Sequence, residues 1–273
     1  MSVVFSTCWY CLKAKYDRGL YHSWIDYMLS NVNHYYLVIY TNKESYPFIH
    51  KYAENPRIKI VIKELEDFYY YRYKDAWIRN HAYNTSINTR TTWEVNMLWC
   101  EKTRFVQQTR RENLFSMDDN IWYGWCDIGY FRPHSLDPRY TSMTKEELAN
   151  WPNPEKIAEL NRTKIHYGLV NTFIMPMIQI VKAKNAFGLP ETPIPPNQVS
   201  IAGGFFLITC ENLDWWSDTF ETRLRLYFEH HYLVKDDQMI IIDCILSNNH
   251  RFKLHRYESE TFDNWFMFQK LLA

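Results

Sequence analysis

Residues 122–131 read WYGWCDIGYF. The stretch that leads into them, NIWYGWC (120–126), is a short aromatic and apolar run of strand length. It stops abruptly on one carboxylate, Asp127, and Gly129 follows two positions later. In open parallel sheets, ligands bind beyond the carboxyl ends of the strands. A buried strand ending on a lone acid therefore predicts that Asp127 stands at the ligand edge. Its alternative is a strand-terminating Asp that caps the next turn. Asp118 and Asp119 precede the strand, belong to the opposite edge, and read as a solvated turn.

Upstream, strands and helices alternate. VVFST (3–7) reads as a buried strand, and residues 19–31 carry Leu20, Trp24, Tyr27 and Met28 at helical spacing. YYLVIYT (35–41) is a β-branched and aromatic strand, residues 42–55 a short helix, and RIKIVIK (57–63) an alternating strand. A long helix is expected over about 91–111, with Trp93, Met97, Leu98, Cys100 and Phe105. This order predicts an α/β fold with a mainly parallel, Rossmann-like central sheet flanked by helices.

Downstream the pattern is less regular. Residues 132–198 are proline-rich, and GLPETPIPPNQ (188–198) is the clearest loop. VSIAGGFFLIT (199–209) reads as a strand interrupted by Gly203 and Gly204. A helix over 212–229, a short helix over 236–248 and a last strand, HRFKLH (250–255), complete the chain. No internal repeat appears.

Composition narrows the function classes. The 273 residues are 47% hydrophobic and 23% charged, the mix of a globular chain able to bury a sizeable core. Lys plus Arg equals Asp plus Glu at 31 each, which makes no case for nucleic acid or an anionic membrane as a partner. With 7 glycines in all, neither dinucleotide-binding nor P-loop glycine patterns occur, so no glycine-rich nest holds phosphate. Neither a secretion signal nor a membrane span is readable, and a soluble, cytoplasmic protein is expected. Aromatic residues reach 18%, with 21 Tyr and 11 Trp. Most are core, but rings with a polar edge also suit sugars and bases. Cys8 and Cys11 form a C-x-x-C that lacks the second pair of a zinc site, so reduced thiols are expected.

A carboxylate at the ligand edge can hold a divalent cation between two phosphates, or accept from a ribose hydroxyl. Both roles suit a nucleoside-diphosphate donor. MLWCEKTRFVQQ (97–108) followed by WYGWCDIGYFRP (122–133) resembles the HtrL/YibB-like proteins. The shared features are a W-x-x-K helix (Trp99 to Lys102) and an aromatic strand ending in Asp-x-Gly (Asp127 to Gly129). That group is similar to GT-A nucleotide-sugar glycosyltransferases, and AGGFFL (202–207) and KDDQMI (235–240) follow in the corresponding order.

The resemblance implies one GT-A-like domain over 1–273, with a nucleotide-binding half at about 1–131 and an acceptor half at 132–273. It implies transfer of a sugar from a nucleoside-diphosphate sugar to a glycan hydroxyl, assisted by Mn2+ or Mg2+. One departure bears on the metal: Gly129 stands where a full Asp-x-Asp has its second acid. Asp127 would then be a metal ligand, completed by a C-terminal histidine, His250 or, better placed, His255. Thr7 and Cys8 would line the nucleotide loop, with Trp9 and Tyr10 stacking on the base or packing in the core. Lys102 would meet the diphosphate, and Gly203 and Gly204 would shape the sugar site or mark a bulge. Of Asp236 and Asp237, one would cap the helix. The other, by preference Asp237, would be the base of an inverting enzyme. Inverting and retaining chemistry both remain open. A non-catalytic carbohydrate-binding protein is the first alternative, and a phosphohydrolase or nuclease the second.

Overall fold

A computed structural model describes residues 2–171 and 173–273. Its first half holds the four expected strands and the two expected longer helices, with α2 added: β1 (Val3–Trp9), α1 (Arg18–Leu29), β2 (Tyr36–Thr41), β3 (Ile58–Ile62), α2 (Lys74–Tyr83), α3 (Trp93–Glu112) and β4 (Trp122–Cys126). The second half adds α4 (Lys145–Ala149), α5 (Pro154–Ala158), β5 (Ile165–Leu169), α6 (Met175–Lys182), β6 (Ile201–Thr209), α7 (Cys210–Glu229), α8 (Asp237–Ser247), β7 (Phe252–His255) and α9 (Phe268–Leu271).

The strands form a seven-stranded sheet in the order β3-β2-β1-β4-β6-β5-β7. The sheet is mixed. β6 runs antiparallel to both β4 and β5, while the other neighbours pair in parallel. Both halves of the chain thus build one sheet. The order turns back between β1 and β4, which is where open α/β sheets leave a crevice at the carboxyl ends. Because β6 is reversed, its first residues reach that same edge: the Asp127 amide donates to the Gly204 carbonyl at 2.8 Å.

Strands buried on both faces explain the near-continuous apolar runs. Alternate residues of β1 go to opposite layers. Val4 and Cys8 join Tyr40, Phe105 and Trp125 beside α3, α7 and α8. Val3, Phe5 and Trp9 join Met28, Trp151, Phe205 and Phe268 on the α1 side. Fully burying one such large side chain contributes about 1.5–3 kcal/mol, so the two layers dominate the stability.

Several expectations need correction. Residues 42–55 form two 3-10 turns, Tyr46–Phe48 and His50–Glu54, in place of one short helix. β1 continues through Trp9, so Thr7 and Cys8 lie within the strand. β6 is continuous through Gly203 and Gly204. The irregularity is instead a loss of register with β5 between Tyr167 and Gly168, opposite the glycine pair. α2, α4, α5, β5, α6 and α9 have no counterpart among the expected elements.

Candidate active site

A cleft of about 660 Å³ opens at the carboxyl ends of β1 and β4, between the start of β6 and the start of α8. Its floor is a charge cluster centred on Lys102, which α3 brings across the sheet. The Lys102 ammonium lies 3.2 Å from Asp127 Oδ1 and 3.0 Å from Asp237 Oδ2, and donates to the Gly203 carbonyl at 2.8 Å. Burial works against this cation, but Asp127 and Asp237 outweigh it and keep Lys102 firmly charged. The Trp125 indole N–H donates to Asp127 Oδ1 at 2.6 Å, so that oxygen is engaged twice.

The two acids differ in access. The Asp127 side chain is 44% exposed, and that of Asp237 is 5% exposed. Burial pushes the Asp237 carboxyl up to about 6; Lys102 opposes this, and Asp236 and Asp127 add to it. Asp236 stands at the N-cap of α8 but makes no capping hydrogen bond. Its carboxylate turns instead to Lys235, at 3.2 Å. The expectation that one of the pair caps the helix through its side chain is therefore not met. Asp236 Oδ1 is buried and accepts no hydrogen bond, whereas the buried Asp237 Oδ2 has the Lys102 ammonium at 3.0 Å. A desolvated oxygen without a donor is costly, and such exceptions are rare.

The glycines follow from these acids. A Cβ on Gly203 would lie 2.9 Å from Asp237 Oδ2, and one on Gly204 would lie 3.0 Å from Asp127 Oδ2. The pair is small because two carboxylates occupy the space beside it. Gly129 has a different reason: a Cβ there would meet Trp24 at 2.9 Å. An aspartate at 129 has no room in this packing.

The other expected residues divide. Cys8 and Trp9 line the cleft with Lys102, Asp127, Gly129, Gly203, Gly204, Asp236 and Asp237. Trp9 is nonetheless mostly packed, against Tyr21 at 5.6 Å between ring centres, so little of it is free to stack on a base. Thr7 is wholly buried and does not line the cleft. Tyr10 lines the cleft, but its hydroxyl is spent on the Lys63 carbonyl at 2.8 Å. Cys8 and Cys11 carry free thiols, and burial raises the Cys8 thiol far above its ordinary range. Asp118 forms the expected turn, accepting from the Asn120 amide at 2.9 Å.

His255 is not beside Asp127. Its Nε2 lies 2.7 Å from Nδ1 of His166, whose Nε2 is 2.9 Å from the Asn161 carbonyl, and burial pushes both rings down to about 4. The histidine pair ties β7 to β5 away from the cleft, and His250 does not line the cleft either. The donor set therefore does not fit a divalent ion. An ammonium already fills the gap between Asp127 and Asp237, one Asp127 oxygen is engaged twice, and the expected histidine is committed elsewhere. Among the described residues, no group of three or more His, Cys, Asp or Glu side chains converges to hold a metal.

Further cleft residues carried no sequence signal of their own. Lys15 and Arg132 bring cations, and Tyr16, Trp265 and Phe266 bring partly exposed rings. Arg132 follows Asp127 by five positions in the same short stretch, the one local hint available. Trp99 and Lys102, three apart on α3, both face the cleft, as that spacing requires.

No protein-family model matches this chain, and no curated protein matches it in sequence. Among the described residues, no helix is long and apolar enough to cross a membrane.

Proposed function

We propose that this chain is a GT-A-like glycosyltransferase, moving a sugar from a nucleoside-diphosphate sugar to a hydroxyl of a glycan. One observation carries the reading. A cleft at the turn-back point of an α/β sheet combines an exposed carboxylate, a buried lysine between two acids, and a wall of aromatic rings. The volume suits a ligand of nucleotide-sugar size. Rings with polar edges suit both a base and a sugar.

The roles follow access. Asp127 Oδ1 is held by Trp125 and Lys102, which leaves Oδ2 turned toward the ligand. The acceptor oxygen attacks the anomeric carbon as the bond from that carbon to the diphosphate oxygen breaks. The bonding pair leaves with the diphosphate, and Asp127 takes the hydroxyl proton. The assignment of the base moves from Asp237 to Asp127 because Asp237 is nearly closed off from the cleft. Asp237 instead holds Lys102, and Asp236, equally buried, pairs with Lys235.

A non-catalytic carbohydrate-binding protein is supported by the same rings. The two readings separate in one experiment, a thermal-shift panel of nucleotide sugars followed by turnover assays with glycan acceptors. A ligand that binds the folded state raises its melting temperature. Stabilisation by nucleotide sugars and release of nucleoside diphosphate support the transferase. Stabilisation by free glycans alone sinks it.

A further inference from the structure

We infer that the cleft neutralises a diphosphate with two fixed side-chain cations, Arg132 and Lys15, in the place a divalent metal would take. The inference rests on the transferase reading and adds to it the means by which the anion is held.

Lys102, the expected phosphate ligand, is already spent. An ammonium has three N–H donors. In this fold they face Asp127, Asp237 and the Gly203 carbonyl, and the side chain is 7% exposed. Two other cleft cations are engaged as well. Lys13 donates to the Thr89 carbonyl at 2.9 Å. Arg18 covers the Phe48 ring at 3.9 Å and donates to the Cys11 sulfur.

Arg132 is different. Its Nε donates to the Gly129 carbonyl at 3.0 Å, and its guanidinium is packed against Trp24 at 4.0 Å and Phe266 at 4.6 Å. Among the described residues it pairs with no carboxylate at ion-pair distance; burial lowers its pKa from the ordinary value, and Tyr16, Tyr21, Asp127 and Asp263 oppose that only in part. The rings and the Gly129 carbonyl fix the plane, and the terminal nitrogens keep their donors. Such a preset fork matches two phosphate oxygens.

Lys15 is the counterpart across the cleft. Its ammonium sits 4.5 Å from the centre of the Trp99 ring, on the side of Asp236 and Asp237, and forms no ion pair among the described residues. The diphosphate of a nucleotide sugar carries two negative charges, and these two cations balance them. When the sugar–oxygen bond breaks, negative charge grows on the leaving diphosphate. A cation fixed beforehand stabilises it without having to reorganise.

The test is calorimetric titration of the full chain with UDP, GDP, ADP, CDP and inorganic pyrophosphate, each in EDTA and each with Mn2+. The expected result is at least one nucleoside diphosphate, and pyrophosphate, binding equally well in both buffers. Arg132→Gln should weaken that binding roughly ten- to a hundredfold, as the loss of charge-assisted hydrogen bonds predicts. Arg132→Lys should restore only part of it, because the fork is lost. Lys15→Gln, in the loop after β1 and free of any packing role for Arg132, should weaken it as well. Binding that appears only with Mn2+, or that ignores both neutralising substitutions, overturns the inference and leaves the transferase reading standing. Absence of binding by every probe in both buffers overturns the two together.

Discussion

Two buried charge clusters sit on opposite ends of α8, and they are built to different standards. At its C-terminal half, Asp243 is wholly buried and fully served. Oδ1 accepts from Lys184 at 2.7 Å and from the Ser247 hydroxyl at 3.0 Å; Oδ2 accepts from the Tyr227 hydroxyl at 3.0 Å and lies 3.5 Å from Arg223. At its N-terminus, Asp236 leaves a buried oxygen without a hydrogen bond, Asp237 Oδ2 has the Lys102 ammonium alone, and the cleft lies beside them. The same helix thus carries one acid served by four partners and two that are served sparsely. Satisfied polar networks specify a fold, whereas incomplete ones are costly and are retained where a ligand uses them.

The comparison breaks first at Asp127, the exposed member of the cleft cluster. Asp127→Ala should lower sugar transfer by about 10²–10⁴-fold, the span of a lost general base, and leave the melting temperature close to wild type. Lys102 keeps Asp237 as a partner in that variant. Undiminished turnover would remove Asp127 from the chemistry. Next in size is Asp243→Asn, which should cost about 3 kcal/mol in urea unfolding, because two cations lose their shared buried anion. Turnover per folded molecule should not change. A loss of activity without a loss of stability would contradict the division of labour along α8.

Asp237→Asn sharpens the contrast by sign. The folded-state carboxyl is raised to about 6 from an ordinary 3.8, so the native state holds its proton more tightly than the unfolded chain does. The stability this contributes is fully present below 3.8 and is lost as pH rises through about 6. Asparagine does not titrate. The variant should equal wild type near pH 4 and exceed it at pH 7 by about 3 kcal/mol, the linkage energy of a carboxyl raised from 3.8 to about 6. Thermal melts across that range read the difference. A drop at pH 7 as large as that of Asp243→Asn would mean that Asp237 is an ordinary structural anion.

These contrasts also mark what the sequence could convey. The strands up to Cys126 were legible because β1, β2 and β4 are buried on both faces and the edge strand β3 alternates. β5 was not, since IHYGL (165–169) is short and lies inside a proline-rich stretch. The reversal of β6 leaves no trace in periodicity, which is the same for either direction. Asp127, Lys102, Gly203, Gly204, Asp236 and Asp237 were gathered by the order of elements, and the fold brings them to one cleft. Their roles were less legible, because access decides them. Nothing in the strings WCDIG and KDDQ tells that Asp127 is 44% exposed and Asp237 5%. His255 was misplaced because a strand end tells where a residue stops and not which neighbour it meets; here that neighbour is His166.

The smallest effect is expected at Gly204, and it tests whether the glycine pair serves the acids or the strand. Gly124 offers the contrast: a Cβ there would lie 2.4 Å from the Phe206 carbonyl, backbone that cannot give way. At Gly204 the nearest atom is Asp127 Oδ2 at 3.0 Å, the end of a side chain. Its backbone is ordinary strand, so alanine adds no conformational strain and should recover about 0.5 kcal/mol of chain entropy. Gly204→Ala should therefore melt at or slightly above wild type while shifting Asp127 by a few tenths of an ångström. A shift of that size in a proton acceptor should lower turnover by about tenfold or less, well short of the misplacement that costs a hundredfold. Wild-type turnover in a stable Gly204→Ala protein would mean that the carboxylate tolerates displacement, and that its placement against the glycine is packing alone.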